Sequence, residues 1–436
     1  MNHSIFVHWQ WMHHTAFLVV AIIAILIQGS LVLLALFGPV LPYKIRKYTM
    51  TPIDSEEFLQ FLGTISDAPV HEQTRVTVLT NGEQFYQAEL DAIRAAKRSV
   101  NLEAYIFQRG EVTRRFVEAM AERAWAGVPV KIVLDAIGSF ATTSGYFREV
   151  TQAGGRVEWY HPLRWDTWPR VNNRTHRELI IIDGEVGFIG GAGFADQWLT
   201  GKSGNPPWRD TMFRVDGHAV AGLQSVFAEN WLQSAGEILT GREYFPFHGV
   251  AGPIQALVIN SSPSGGTTRA RILFQTLLAS AAETIHIATP YFLPDKSARE
   301  EIQRAIQQRG VEVKIITPGR HSDHTLTRRS SRQLYGDLLQ AGARIYEYQP
   351  AMLHAKVMIV DGLWSVVGST NFDHRSFDLN DEVNLAACDA GLAERLETDF
   401  VADLEQSRAV SYEEWRNRSA LEKIEEWMGW PIRREQ

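Results

Sequence analysis

Two histidines, His176 and His354, begin the same local pattern in this 436-residue chain. Four apolar residues follow at the same spacing, and an aspartate stands seven residues after each histidine, at Asp183 and Asp361. An imidazole is a nucleophile when neutral and an acid when protonated, so two of them can divide attack and proton transfer. The repeated pattern therefore indicates covalent or acid–base chemistry at a site shared by two copies of one motif.

Each copy also carries polar residues near its histidine. The residue two positions on is Lys356 in the second copy and Glu178 in the first. Alternate residues of a strand share a face, so each of these side chains is expected to point with its histidine. Small residues follow each aspartate after seven positions, at 190–191 and 368–371, and would let a ligand approach the backbone closely.

A carboxylate completes both copies, Asp210 in the first and Glu382 in the second. A single H-x-K sequence is common by chance, with a polar strand edge as its ordinary meaning. Two ordered copies of the histidine, the aspartate, the small residues and the late carboxylate are hard to obtain by accident. The repeat therefore predicts two fused copies of one fold, facing each other across a pseudo-twofold axis.

The elements that must position these motifs repeat in the same order. Apolar, β-branched strands alternate with amphipathic helices, which predicts an α/β fold of two pseudo-symmetric lobes, each a mixed sheet flanked by helices. The first pass predicts a strand over 100–107, a helix over 112–125 and a strand over 130–134. The second pass predicts a strand over 285–289, a helix over 297–309 and a strand over 311–316.

An apolar run from residue 16 to residue 40 contains no charged side chain, and about 20 apolar residues suffice to span a bilayer. Three basic residues follow the run by position 47. Because positive charge favours the cytoplasmic side, the catalytic lobes are expected to be cytoplasmic behind a single transmembrane helix. The polar residues 28–30 leave a re-entrant hairpin open as an alternative.

These patterns divide the chain into six segments. The predicted segments are an N-terminal transmembrane anchor over 1–48, a connector over 49–74, a first lobe over 75–258, a linker over 259–269, a second lobe over 270–410 and a C-terminal helix over 411–436.

Composition excludes several classes of function. The chain has 43 Lys and Arg against 50 Asp and Glu, a formal charge of −7, so it has no overall field that would attract nucleic acid. Its single cysteine, Cys388, excludes an intrachain disulfide and a thiolate metal cage. A basic cluster at 321–332, after a predicted strand, could bind a phosphate group or be a solvated helix face.

The sequence resembles the phospholipase D superfamily, and within it the bacterial cardiolipin synthases, from about residue 75 to residue 408. The most specific stretch is 354–384, which ends GSTNFDHRSFDLNDEVN. The segments TPYFLPD at 289–295, NRTH at 173–176 and WRD at 208–210 are also similar. The resemblance implies two lobes whose histidine-bearing strands meet at one cleft, and catalysis without a metal or other cofactor.

The resemblance also implies roles for the paired residues. One histidine would attack phosphorus and form a phosphatidyl-histidine, while the other protonates the departing alcohol and then activates the incoming hydroxyl. Asp210 would steady His176, and Glu382 would steady His354. Which histidine is the nucleophile stays open.

The remaining polar residues would bind the phosphate or support the fold. Lys356, Asn371 and Ser369 are expected to hold its nonbridging oxygens. Asp183 and Asp361 are counted with the catalytic set, although their position beside glycine at strand ends also suits a structural role.

At the level of substrate, the resemblance implies a transferase of the bacterial inner membrane. Phosphatidylglycerol would donate its phosphatidyl group to a second phosphatidylglycerol, giving cardiolipin and glycerol. A phospholipase D-type hydrolase and a catalytically impaired lipid-binding membrane protein are the alternatives. The second lipid substrate and the oligomeric state stay open.

Two positions depart from the family pattern. Glu178 stands where a lysine is expected, and Gly193 stands where the second copy has Asn371. The glutamate could pair with a cation such as Arg209, Arg174 or Lys356. It could instead mark a different headgroup, or a site that binds lipid without turning it over.

Overall fold

The computed structural model describes residues 14–30, 45–46, 51–162, 164, 172–201, 204–247, 249–263, 268–419 and 422–423. Residues 14–30 form a helix, α1, within a unit that is separate from residues 43–436. No helix among the described residues combines the length and the apolar character needed to cross a membrane. The predicted anchor continues past α1 into residues 31–40, which lie outside the described ranges, so it stays a prediction.

Helices after α1 alternate with the strands of one sheet. The described helices are α2 (Glu56–Ile65), α3 (Asn81–Ala95), α4 (Glu111–Trp125), α5 (Arg148–Gln152), α6 (Ala219–Ala235), α7 (Arg269–Ser280), α8 (Lys296–Arg309), α9 (Thr325–Gln333), α10 (Tyr335–Ala341), α11 (His374–Asp378), α12 (Ala390–Glu405) and α13 (Tyr412–Arg416). The strands are β1 (Val70–Thr80), β2 (Val100–Ala104), β3 (Val130–Asp135), β4 (Arg156–Tyr160), β5 (Leu179–Ile182), β6 (Val186–Gly190), β7 (Thr211–Gly217), β8 (Ile254–Ser261), β9 (Thr284–Ala288), β10 (Glu312–Pro318), β11 (Arg344–Tyr348), β12 (Val357–Val360), β13 (Trp364–Gly368), β14 (Glu382–Cys388) and β15 (Ser407–Val410).

Local sequence explains where these elements begin and end. The carboxylate of Asp295 accepts a hydrogen bond from the N–H of Ala298 at 2.8 Å and caps the start of α8. Gly310, at φ 74°, ends the same helix in the left-handed conformation that glycine adopts without strain. The confirmed boundaries of α4, β3 and α8 lie within two residues of those predicted from periodicity.

The sheet shows the predicted duplication as a succession of strands. Its order is β15-β11-β10-β9-β12-β13-β14-β8-β1-β7-β6-β5-β2-β3-β4. Outward from the central antiparallel pair β1 and β8, the same types of pairing repeat in each direction, with parallel pairs only at β2-β3-β4 and β9-β10-β11. Only β15 has no counterpart among the described strands. The fold is therefore a mixed-sheet α/β fold with two related halves.

The two halves share a core. One apolar cluster combines Val215 and Phe227 of the first half with Leu385 and Phe400 of the second. A second cluster lies within the first half around Phe116, and a third lies around Trp364 in the second half, where α2 also packs. Because the shared cluster would be exposed if the halves separated, residues 43–436 form one compact unit.

Two strands of the central pair extend into the segments predicted as connector and linker. Within 49–74, Phe58 and Leu62 of α2 are buried in the second-half core, and β1 begins at Val70. Within 259–269, β8 continues to Ser261. Because polar residues interrupt the alternation of β1, the sequence predicts a polar connector there and not a strand. At the other end, α13 covers only the start of the predicted C-terminal helix, and most of 420–436 lies outside the described residues.

Candidate active site between the two halves

His176 is held by residues of the opposite half. Its backbone N–H donates to the carbonyl oxygen of Asp381 at 2.8 Å, and the N–H of Asp381 donates to the carbonyl oxygen of Arg174 at 2.9 Å. This pairing places the imidazole Nδ1 3.0 Å from Oε1 and 3.1 Å from Oε2 of Glu382. The first histidine is therefore oriented by the carboxylate of the second half.

His354 makes the reciprocal arrangement. Its N–H donates to the carbonyl oxygen of Arg209 at 2.7 Å, and the N–H of Arg209 donates to the carbonyl oxygen of Met352 at 2.9 Å. The imidazole Nδ1 lies 2.8 Å from Oδ2 of Asp210. The expectation that each carboxylate serves the histidine of its own half is wrong, because each histidine segment pairs with the chain just before the other half's carboxylate.

Both carboxylates are fully buried and fixed by further hydrogen bonds. The indole N–H of Trp198 donates to Oδ2 of Asp210 at 2.9 Å, and the N–H of Thr211 donates to its Oδ1 at 2.8 Å. The hydroxyl of Ser369 donates to Glu382. Because a carboxylate only accepts, we assign the ring hydrogen to Nδ1 of each histidine. Nε2 is then the ring nitrogen that can attack phosphorus or exchange a proton.

Lys356 lies against His354. Its Nζ is 3.0 Å from the carbonyl oxygen of His354, 3.0 Å from Nδ1 and 3.3 Å from Nε2. Burial, together with the positive charge of Lys356, lowers the pKa of His354 below that of an ordinary imidazole, although the hydrogen bond to Asp210 opposes the shift. His354 is therefore neutral at neutral pH, as a nucleophile or base requires. Burial also lowers the pKa of Lys356 itself.

A glycine in the first half makes room for this lysine. A Cβ at Gly191 would lie 2.6 Å from Cδ and 2.8 Å from Nζ of Lys356, closer than carbon atoms can approach. The small residues after β6 therefore admit the side chain of Lys356 from the other half. The sequence pattern predicts a ligand in this space, whereas Lys356 occupies it.

These distances describe two histidines, each with a buried carboxylate, beside one lysine. A family model described as "Cardiolipin synthase, PLD-like domain" matches residues 90–206 and 274–404. The chain belongs to that family. The predicted resemblance is confirmed, and each half of the sheet contributes one matched region.

Individual relatives agree with the family match. Over 81% of this chain and 69% of its own length, cardiolipin synthase 2 of Bacillus anthracis is 33% identical. The major cardiolipin synthase of Bacillus subtilis is also 33% identical, over 86% of this chain and 78% of its own length. Among solved structures, the phosphatidylserine synthase of Haemophilus influenzae has a TM-score of 0.65 at 13% identity, covering 87% of this chain and 97% of its own, a likeness of fold alone.

Three predicted site residues of this cardiolipin synthase family member have other contacts. The hydroxyl of Ser369 donates a hydrogen bond to Glu382, and its phosphate contact stays a prediction. The carboxylates of Asp183 and Asp361 accept backbone N–H bonds from the residues that lead into β2 and β9. Those donors are Lys97, Arg98 and Ser99 for Asp183, and Ala282, Glu283 and Thr284 for Asp361.

These contacts favour a structural role for Asp183 and Asp361, and a catalytic role for them stays a prediction. Both residues have positive φ, 56° and 53°, at the hairpin turns that end β5 and β12. At about 3.3 Å per residue, seven residues place each roughly 20 Å from its histidine. Their constant spacing from the histidine reflects the length of the strand between site and turn.

A cavity of about 490 Å³ is lined by residues of both halves, among them Ile106 and Met352. Trp208, whose ring centroid is 5.3 Å from that of His354, forms part of its wall. From the predicted basic cluster, His321 and His324 line the cavity, whereas Arg328 and Arg332 form ion pairs with Glu347. The cluster is thus divided between the cavity and an internal ion-pair network.

Aromatic residues around the histidines were not identified as site residues from sequence. Trp198 and Trp208 both lie 5.3 Å from the ring centroid of His354, and Tyr105 lies 5.1 Å from that of His176. Trp208 could have been identified from sequence, since it begins the WRD segment that contains Asp210. Tyr105 directly follows β2, and ligands of α/β folds commonly bind at the carboxyl ends of strands.

Glu178 makes none of the expected cation pairs within the described part of the chain. It is 3% exposed, and its Oε1 accepts the N–H groups of Tyr105 at 3.2 Å and Ile106 at 3.1 Å. Burial raises the pKa of Glu178 well above the usual carboxyl value, although these bonds and the charge of Lys356 oppose the shift. Burial therefore favours the uncharged form of this side chain.

Two of the cations predicted to pair with Glu178 contact other carboxylates instead. Arg209 donates through Nε to Oδ1 of Asp403 at 2.9 Å, and Arg174 lies 3.6 Å from Oδ1 of Asp135. The proposed pairs with Arg209 and Arg174 are therefore wrong. Lys356 interacts with Glu178 only through the longer-range attraction that opposes the rise in its pKa.

Proposed function

We propose that this protein is a phosphatidyltransferase that makes cardiolipin from phosphatidylglycerol. The observation that carries the proposal is the crossed pairing, in which buried Glu382 and Asp210 orient His176 and His354 from opposite halves. The names of the cardiolipin synthase relatives support the same substrate class.

The reaction proceeds in two displacements at one phosphorus atom. In the first, Nε2 of one histidine bonds to phosphorus as the bond from phosphorus to the glycerol headgroup oxygen breaks. The second histidine, as imidazolium, gives that oxygen its proton, and glycerol leaves. A phosphatidyl-histidine results.

In the second displacement, the now neutral second imidazole takes the proton from the headgroup hydroxyl of another phosphatidylglycerol. The hydroxyl oxygen bonds to phosphorus, and the bond from phosphorus to nitrogen breaks. Cardiolipin forms and both histidines recover their starting protonation states. Since one phosphodiester replaces another, no nucleotide is consumed.

Charge stabilisation follows from the groups beside the histidines. Lys356 is the cation for the nonbridging oxygens, and its burial strengthens that attraction relative to water. Asn371 is also buried, and its side chain is proposed as a second donor. Asp210 and Glu382 stabilise whichever imidazole is positively charged.

The location proposed for this chemistry is the bacterial inner membrane. The apolar run over 16–40 is the single-pass anchor, and α1 leaves large side chains such as Phe17, Ile25 and Leu26 more than half exposed. The lobes are cytoplasmic, and the anchor keeps them at the surface where both lipid substrates reside. Local lipid then competes with water for the phosphatidyl-histidine.

The test uses the full chain in vesicles of phosphatidylglycerol. Cardiolipin and glycerol should appear in equal amounts, and a His176→Ala, His354→Ala double variant should form neither. Free phosphatidate in place of cardiolipin would make the protein a phospholipase D-type hydrolase. Lipid binding without either product, in folded protein, would make it a lipid-binding protein and overturn the proposal.

A further inference from the structure

The carboxyl of Glu178 holds a short segment that borders the site on two sides. Its Oε1 accepts both the Tyr105 and the Ile106 N–H, the first two residues after β2. The ring of Tyr105 stands edge-on to His176 at 5.1 Å, and Ile106 lines the 490 Å³ cavity. Glu178 thus holds the backbone of two residues, of which Tyr105 contacts His176 and Ile106 lines the cavity.

Gly193, the second departure from the family, leaves room for the same segment. A Cβ at Gly193 would lie 2.7 Å from Cβ of Ile106, 2.9 Å from its carbonyl oxygen and 3.1 Å from Oε1 of Glu178. An asparagine there could not coexist with Ile106 in this position. The segment is also tied at this point, because Phe194 donates its N–H to the carbonyl oxygen of Ile106 at 2.7 Å.

The second half provides an internal comparison. Phe107 bridges Phe194 in the first half, and Phe292 bridges Phe372 in the second, which fixes the correspondence between the halves. By that register the counterpart of Tyr105 is Pro290. Proline has no N–H, so it could not donate to a carboxyl on the neighbouring strand.

The halves therefore differ in a linked set of three positions. The first half combines the acceptor Glu178 with an amide donor at 105 and no side chain at 193. The second half combines Lys356 with Pro290 and Asn371. Random loss of a lysine at position 178 would not explain why positions 105 and 193 also differ between the halves.

We propose that Glu178 is a positioning residue, which holds Tyr105 against His176 and Ile106 against the cavity, and that Gly193 exists to admit this segment. The cationic contact to the phosphate then comes from the second half alone, through Lys356. Burial raises the pKa of Glu178 and so disfavours the charged form, which would repel an anionic substrate.

Three substitutions separate this role from a missing lysine. Glu178→Gln keeps an oxygen acceptor of the same shape and should retain kcat within roughly threefold. Glu178→Ala removes the acceptor for the N–H groups of Tyr105 and Ile106. Glu178→Lys places a cation against the same two donors. Each variant should therefore lose roughly tenfold or more in kcat, with less change in KM. A Glu178→Lys enzyme as active as the wild type, or more so, would overturn the proposal.

The route through Tyr105 is tested by a double-mutant cycle. If Glu178 acts by holding Tyr105, the loss of kcat caused by Glu178→Ala should shrink in a Tyr105→Ala background. Hydrogen exchange at the amides of residues 105 and 106 should speed up in Glu178→Ala and not in Glu178→Gln. Additive losses in kcat, or unchanged exchange, would contradict the positioning role.

Glu301 offers a matched control, since it is also fully buried but forms ion pairs with Arg304 and Arg309 on α8. Glu301→Ala should lower the melting temperature and leave kcat of the folded protein unchanged. The measurement of kcat rests on the proposed function, since it assumes that the protein transfers a phosphatidyl group. If the wild type makes no cardiolipin, hydrolysis of bis(p-nitrophenyl) phosphate and the amide exchange still decide the role of Glu178, so the two failures are distinguishable.

Discussion

Nδ1 of His354 lies 2.8 Å from Oδ2 of Asp210, a carboxylate carried by the opposite half of the sheet. The reciprocal contact joins His176 to Glu382. Neither half therefore contains a complete histidine–carboxylate pair. Such a site requires both halves to be folded and correctly packed, which the shared core between them provides.

Removing the charge of either carboxylate should stop catalysis without unfolding the protein. Asp210→Asn and Glu382→Gln remove the acceptor that orients each imidazole and stabilises its charged form. We expect kcat to fall by roughly 10²-fold or more for each variant, with a smaller change in KM. Steady-state assay of cardiolipin formation measures the loss, and circular dichroism checks the fold. Near-normal kcat in either variant would show that its histidine needs no carboxylate.

Substitution of the turn aspartates should have the opposite profile. Asp183→Ala and Asp361→Ala each remove an acceptor shared by three backbone N–H groups. The free energy of unfolding should fall by about 1–3 kcal/mol in each, whereas kcat at a permissive temperature should change little. Denaturant titration and the same lipid assay measure the two quantities. A large fall in kcat at full stability would restore these residues to the catalytic set.

The ionisation of His354 should depend on Lys356. Burial and the neighbouring cation lower the pKa of His354, so Lys356→Met should raise that pKa and also reduce kcat by roughly 10²-fold through loss of phosphate binding. NMR titration of the His354 ring measures the pKa directly. Lys314→Met is the control, because Lys314 pairs with Glu312 on β10 and should leave His354 unchanged. An unaltered or lower pKa in Lys356→Met would contradict the assignment.

The same shift of His354 predicts how its contribution to stability varies with pH. The unfolded imidazole binds a proton near its ordinary pKa, whereas the folded one binds it only at lower pH. The contribution is therefore complete above the ordinary value and is lost as the pH falls from it through the lower folded pKa.

Glu103 should give the opposite dependence on pH. Burial raises its pKa to about 7, and its Oε1 accepts hydrogen bonds from the side chains of Thr175 and Asn230. A raised carboxyl pKa stabilises the fold below the ordinary value, and that contribution is lost as the pH rises through about 7. Glu103→Gln should therefore be more stable than wild type at pH 8, by roughly 1–3 kcal/mol, and similar at pH 5. Equal stability differences at the two pH values would contradict this.

Local patterns were sufficient for elements whose burial follows a regular period. The helix predicted over 112–125 is α4, and the strand predicted over 130–134 is β3, because each shows an unbroken apolar period. The central strand β1 was missed, since polar residues interrupt its alternation. Its position is decided by pairing with β7 and β8, partners distant in sequence.

The sequence by itself determined that two copies of one motif exist, that histidine, lysine and carboxylate are their candidate reactive groups, and which family they resemble. Spacing along the chain carries this information because each motif is local. Only the tertiary structure decided that His176 pairs with Glu382 and His354 with Asp210, that Asp183 and Asp361 serve hairpin turns, and that Glu178 faces amides. Those outcomes depend on how two sheet halves pack across a shared apolar core, a contact between residues far apart in the chain that no local spacing encodes.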